Sequence, residues 1–210
     1  MEPAQLDRHI KVESMTSEEI RRLRLCNVDL TETFLPLNTF EEVLEHLKNK
    51  CILNLDRSIK ILDDVMKIVN KHNMADQVLL KSDPSDASLK MVETFAPKVD
   101  YMPIFMEEDV ASEKIENMNI NYIGAELVFK SESSSIAQDS YIDMMHKKGR
   151  ILWGNSIVYS SRVPLAAGHN DDISLTGDPE DGWGWLAKKG FDIIQTDWTH
   201  HCVNYLRNRY

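Results

Sequence analysis

Short apolar runs alternate with longer segments of helical periodicity along most of this 210-residue chain. Cys51-Ile-Leu-Asn-Leu-Asp56 is the first run. Behind it Ile59, Leu62, Val65, Met66, Ile68 and Val69 recur at helical spacing, which predicts a helix between Arg57 and Asn73. Gln77-Val-Leu-Leu-Lys81 comes next, then a Ser/Asp/Pro loop and a predicted helix from Asp86 to Phe95. Asp100-Tyr-Met-Pro-Ile-Phe105 is the third run, and Tyr122 to Phe129 the fourth, closed by a Ser-rich loop at 131–135. A helix from Ala137 to Lys148 is expected to stop at Gly149, since glycine readily takes the left-handed conformation that ends helices. Arg150-Ile-Leu-Trp-Gly-Asn-Ser156 is the fifth run, followed by a long Gly/Asp/Pro-rich loop from Tyr159 to Asp178. Pro179 opens a helix ending near Gly190, Phe191-Asp-Ile-Ile-Gln-Thr-Asp197 is the sixth run, and Thr199 to Arg209 the last helix. Upstream, Thr16-Ser-Glu-Glu and Asn38-Thr-Phe-Glu-Glu read as helix N-termini with acidic first turns.

Six βα units in series predict parallel strands joined by right-handed crossovers. Two architectures remain: an open doubly wound sheet or a (β/α) barrel. The chain contains no GxGxxG and no Walker A sequence, which weakens the nucleotide-binding open sheet. No linker or internal repeat stands out. A single domain over residues 1–210 is expected, with 1–50 preceding the six units carried by 51–210.

A net charge of −10 argues against a nucleic-acid-coating protein, because phosphate backbones want a Lys/Arg excess. No stretch approaches the roughly 20 apolar residues of a membrane helix. The start, MEPAQLDRHIKVE, lacks a basic segment followed by an apolar run, so no signal peptide is expected and the chain reads as cytoplasmic. Cys26, Cys51 and Cys202 are odd in number and widely spaced, which points to buried reduced thiols rather than zinc ligands or disulfides.

In either architecture the functional residues sit at the C-terminal ends of the strands. That rule selects Asp56, Lys81, Glu107, Glu108, Glu126, Asn155 and Asp197. Converging carboxylates there would suit a hard cation such as Mg²⁺ or Ca²⁺, and Lys81 or Arg57 could hold an anion, most readily a phosphate. Each has a plainer reading. Asp56 and Asp197 could cap the helices that follow them, Lys81 could snorkel to solvent, and Glu126 could form a structural ion pair. His169, in the long loop, is the best local candidate for a mobile acid/base or substrate contact. His200 and His201 point in different directions on the last helix and read as surface residues. Trp183 and Trp185 are expected to pack their helix on the sheet.

Several segments together resemble the glycerophosphodiester phosphodiesterase family, a group of metal-dependent TIM-barrel enzymes. Leu6-Asp7-Arg8 with Met15-Thr-Ser-Glu-Glu-Ile-Arg-Arg-Leu-Arg24 is similar to the family's "LDR…TLEEL…L" insertion after the second strand. Leu35-Pro-Leu-Asn-Thr-Phe-Glu-Glu-Val-Leu-Glu-His-Leu-Lys48 is similar to "IPTLEEVLELLK", and Leu53-Asn-Leu-Asp56 to the "NIE(I/L)K" strand. Trp153-Gly-Asn-Ser156, Gly190-Phe-Asp-Ile-Ile-Gln-Thr-Asp197 and Tyr205-Leu206 match the closing "VWxxN…G(V/A)DxIxTDxPxxLxxYL".

The resemblance implies an incomplete TIM-type barrel holding strands three to eight of the family's eight, since such barrels typically take about 250 residues. It places Asp56 at the family's third metal carboxylate, implying a divalent Mg²⁺ or Ca²⁺ site of which this chain keeps one ligand in three. The family's phosphate-binding lysine is Ser58 here, so Arg57 or Lys81 would substitute. Glu126, Trp153, Asn155 and His169 complete the expected contacts to a small-molecule phosphodiester. Laid against the family's His-Asp loop, Glu2 and Pro3 replace the histidine and aspartate, so no acid/base histidine is expected in this chain. The expected activity is cleavage of glycerophosphodiesters to glycerol 3-phosphate and an alcohol, weak or absent in this chain alone. The alternatives are a non-catalytic binding protein, a degenerate barrel whose open edges are covered by another copy or chain, and a related phospholipase-D-type lyase.

Overall fold

The computed structural model describes residues 11–27, 29–160 and 163–209. The readings placed on Leu6-Asp7-Arg8, Glu2 and Pro3 lie outside them. The chain divides into two compact units, Met1–Lys50 and Cys51–Tyr210.

The described part of the first unit holds α1 (Ser17–Arg22), β1 (Arg24–Cys26), β2 (Glu32–Pro36) and α2 (Phe40–Leu47). Both helices open on the capping boxes that the sequence announces. Thr16 accepts from the Glu19 N–H and Thr39 from the Glu42 N–H, while each glutamate reaches back to the cap backbone. The antiparallel pairing of β1 with β2 is not expected from the sequence. Its strands are too short to show an alternating pattern.

The second unit carries β3 (Leu53–Leu55), α3 (Leu62–Lys71), β4 (Val78–Ser82), α4 (Asp86–Phe95), β5 (Asp100–Met106), α5 (Ser112–Glu116), β6 (Gly124–Val128), α6 (Asp139–Lys147), β7 (Ile151–Asn155), α7 (Asp171–Thr176), α8 (Trp183–Lys189), β8 (Ile193–Gln195) and α9 (Thr199–Arg207). The six strands lie side by side in sequence order and every pair is parallel. Order without reversal removes the switch point of a doubly wound sheet, and crossovers of one hand then place all the helices on one face. The result is a curled partial barrel of the TIM type.

The core lies between the sheet's helix-facing side and the helices. Alternate residues Leu80, Tyr101, Phe105, Ala125, Leu127 and Leu152 are fully buried there, as are Leu62, Val69, Leu89 and Leu186 from the helices. Gly124 is a steric requirement, because a Cβ at this position would collide with the Ile151 carbonyl of the neighbouring strand. Gly149 and Gly190 both take positive φ where α6 and α8 end.

Three local expectations are corrected. The helix after the first run starts only at Leu62, because Arg57 adopts φ +54° and a single 3₁₀ turn, Ile59–Ile61, intervenes. The loop from Tyr159 to Asp178 contains α7, capped by the Asn170 side chain. Cys51 is exposed, whereas Cys26 and Cys202 are buried; all three are free thiols.

Candidate functional site

Strand alternation sorts the side chains of the concave face into layers. Asn54, Leu79, Met102, Trp153 and Ile193 all border one cavity of about 280 Å³, so they share a face. Two residues further along each strand the same face must carry Asp56, Lys81, Asn155 and Gln195. A polar layer therefore lies above an apolar one, at the C-terminal ends of the strands.

Two of these polar residues, Lys81 and Asn155, meet at Glu126 of β6. The Lys81 ammonium donates to Glu126 Oε2 at 2.6 Å, and Asn155 Nδ2 donates to Glu126 Oε1 at 2.8 Å. Lys81 Nζ also stands 3.7 Å from the centroid of the Trp153 ring, whose Nε1 donates to Gln195 Oε1 at 3.1 Å. Lys81 and Glu126 are both buried. An isolated charge would be costly there, but each is matched by the other, and both Glu126 oxygens are used. Lys81, Glu126, Trp153 and Asn155 come from β4, β6 and β7, and one network joins all four.

The remaining candidates stand apart from that network. Asp56 and Arg57 are exposed. The Asp56 carboxylate accepts its neighbour's backbone N–H at 2.9 Å and lies 3.9 Å from the Arg57 Nε. It caps no helix, since α3 starts without a side-chain cap, and the same holds for Asp197 before α9. Among the described residues Asp56 belongs to no cluster of three or more His, Cys, Asp or Glu ligand atoms. One carboxylate leaves most of the six to eight oxygen positions of Mg²⁺ or Ca²⁺ to water, so the described residues around Asp56 do not by themselves fit a resident metal there. Glu107 ties loops together: its carbonyl accepts from Ser134 and Ser135 and its side chain from the Lys130 N–H.

His169 is held on three sides. Its ring stacks on Trp185 at 3.8 Å and 6°, with Nδ1 2.5 Å from the Asp181 carbonyl and Nε2 3.0 Å from Glu132 Oε1. This joins the loop after β6 to the start of α8. His200 and His201 are exposed, as expected. Trp183 is buried, as a packing role requires.

Asp171 carries a role that sequence reasoning missed. It is 2% exposed, and its Oδ1 accepts from Ser156 Oγ, Trp183 Nε1 and Thr196 Oγ1 at 2.6–2.7 Å, while Oδ2 accepts the Asp197 N–H at 2.9 Å. The available signal was Asn170-Asp-Asp, a helix N-terminus signature inside the supposed loop.

The rim itself is strained. Arg57, Glu107 and Ala167 adopt φ of 54°, 68° and 53° at the exits of β3 and β5 and in the loop after β7. Non-glycine residues in that region cost of order 1–3 kcal/mol each and gather at ligand-handling sites.

Comparison with known proteins follows the same geometry. Three solved structures match over 94–95% of this chain. A glycerophosphoryl diester phosphodiesterase from Parabacteroides distasonis superposes with a TM-score of 0.71 at 17% identity, and a second Parabacteroides distasonis glycerophosphodiester phosphodiesterase with 0.58 at 15%. A Galdieria sulphuraria protein assigned to the same enzymes gives 0.68 at 15%. This chain spans 65% of the first structure's length and 73% of each of the other two. At these identities the likeness is one of fold, and it bears out the resemblance seen in the sequence at that level. No curated protein matches the chain by sequence. The model of DUF4996, a domain of unknown function, matches residues 101–206, from β5 to α9 and just over half of the chain. The chain therefore belongs to the DUF4996 family, built on the fold of the glycerophosphodiester phosphodiesterases.

Proposed function

We propose that this chain is a phosphoric diester hydrolase-like barrel that holds a small-molecule glycerophosphodiester at the C-terminal rim of its strands. By itself it turns such esters over weakly or not at all. The observation that carries this reading is the polar layer of Lys81, Glu126 and Asn155, set on a fold shared with glycerophosphodiester phosphodiesterases. Lys81 spends its charge on Glu126, so of these two cations Arg57, held beside Asp56, is the one placed to meet a phosphate. Proton transfer by positioned groups typically supplies 10²- to 10⁴-fold of rate. His169, the histidine of the loop after β7, is already engaged by Trp185, Glu132 and Asp181.

The test is calorimetric binding of glycerophosphoglycerol to the pure chain, with and without Mg²⁺ or Ca²⁺, alongside a hydrolysis assay. Binding that weakens about tenfold in Arg57→Ala, with no turnover above background, is the expected result. Absence of binding overturns the ligand assignment, and turnover abolished in Asp56→Ala overturns the weak-enzyme assignment.

The alternative, a non-catalytic barrel covered by another chain, is favoured by β3 and β8. Among the described residues each is an edge of the six-stranded sheet, hydrogen-bonded to a strand on one side only. Unpaired parallel edges invite pairing with other polypeptides. Light scattering decides: a clean monomer argues against closure by a second copy.

A further inference from the structure

A tryptophan face attracts cations, quaternary ammonium groups among them, and a carboxylate beside it adds charge attraction. That arrangement exists on the concave face of this sheet, and it is already filled from within. Lys81 Nζ sits 3.7 Å from the Trp153 centroid and 2.6 Å from Glu126 Oε2, with 4% of the lysine side chain and 10% of the glutamate side chain exposed. Asn155 holds the other Glu126 oxygen and Gln195 holds the indole N–H, so ring and carboxylate are both fixed in orientation.

Resting on the phosphodiester reading above, we infer that Lys81 is a specificity-determining residue: its tethered ammonium occupies the seat of a cationic head group, so the site takes neutral hydroxylated alcohols and rejects choline-type esters. A competing cation would have to displace an ammonium that is attached to the chain and matched by a buried carboxylate. Expelling that ammonium would leave two groups with unmet electrostatics. A second cation on the other face of the ring would meet like charge across the indole. A neutral alcohol meets neither obstacle. The amide groups of Asn155 and Gln195 each keep one end outside the bonds to Glu126 and Trp153, an acceptor oxygen on Asn155 and a donor nitrogen on Gln195. An acceptor and a donor on neighbouring strands β7 and β8 suit vicinal hydroxyls.

The experiment compares wild type with Lys81→Ala, titrating tetramethylammonium chloride against matched NaCl and following the Trp153 indole N–H by NMR, assigned through Trp153→Phe. The expected result is binding at least tenfold tighter in Lys81→Ala than in wild type, lost again in Lys81→Ala/Glu126→Gln. Equal affinity in the two proteins overturns the inference. A Lys81→Ala chain that folds only when the salt is present reads as binding; one that no concentration of the salt refolds counts against the inference. In parallel, wild type is titrated with glycerophosphoglycerol and glycerophosphocholine, with at least tenfold preference for the former expected and equal or reversed preference overturning the inference. If neither diester binds, the phosphodiester reading fails, while the tetramethylammonium comparison still decides the role of Lys81.

Discussion

The indole N–H of Trp183 donates to Asp171 Oδ1 across 2.7 Å, a bond that ties α8 to α7. Through the same carboxylate, Ser156 after β7 and Thr196 and Asp197 after β8 are joined to the pair. Asp171→Ala leaves the Trp183 indole, the Thr196 hydroxyl and the Asp197 N–H without this acceptor, while the Ser156 hydroxyl keeps the Gln195 carbonyl. At about 1–3 kcal/mol for each buried group left unsatisfied, the variant is expected to lose at least about 3 kcal/mol of stability. Urea unfolding monitored by tryptophan fluorescence measures it; a loss under about 1 kcal/mol contradicts the clasp.

The Lys81–Glu126 pair predicts a strongly non-additive cycle. Removing either partner alone strands a buried charge, which costs about 3–5 kcal/mol. Lys81→Met with Glu126→Gln together removes both charges and is expected to cost much less than the sum of the single changes. A double-mutant cycle in denaturant reads the coupling directly, and additive losses would show that the pair is not buried as described.

Alkaline pH should unfold the protein through its buried phenols. Burial pushes Tyr101 and Tyr122 up to about 12, against the opposing hydrogen bonds to Ser82 and Ser112. Burial and the Asp109 carboxylate raise Tyr141 further. A folded-state value above the unfolded one means this stabilisation is complete below about pH 10 and is lost as pH rises through about 12. Tyrosinate absorbance at 295 nm should appear in steps, with these three of the six tyrosines ionising only as the circular dichroism signal is lost.

Thiol reactivity should separate the three cysteines. Cys51 is exposed, while burial, with the Asp171 charge nearby, raises the Cys202 thiol to about 11. Because the thiolate is the nucleophile, DTNB at pH 8 is expected to modify one thiol rapidly in the native protein and all three in urea. Rapid labelling of Cys202, mapped by mass spectrometry, would show that this face of α9 is not held against α8.

Much of the fold is written locally. The runs ending at Asp56, Lys81, Phe105, Phe129, Ser156 and Asp197 appear as β3 to β8 within a residue or two. Both capping boxes and the Gly149 and Gly190 stops fall where the pattern puts them. Periodicity and caps report the backbone of a few neighbouring residues, so they survive in any tertiary context. What they cannot register is a short element with too few residues to show a period. β1, β2, α5 and α7 are such elements.

The site divides along the same line. Sequence by itself determined that Asp56, Lys81 and Asn155 lie at strand ends and Glu126 within a strand, because strand direction and alternation follow from the run of the chain. Only the tertiary structure decided that Lys81 and Glu126, 45 residues apart, neutralise each other under Asn155 and against Trp153. It also decided that His169 is held by Glu132 and Trp185, and that Asp171 gathers two strand ends. Those partners meet because the register and curl of six parallel strands bring them to the same height on one face, and register is a property of neighbouring strands that no single stretch of sequence contains.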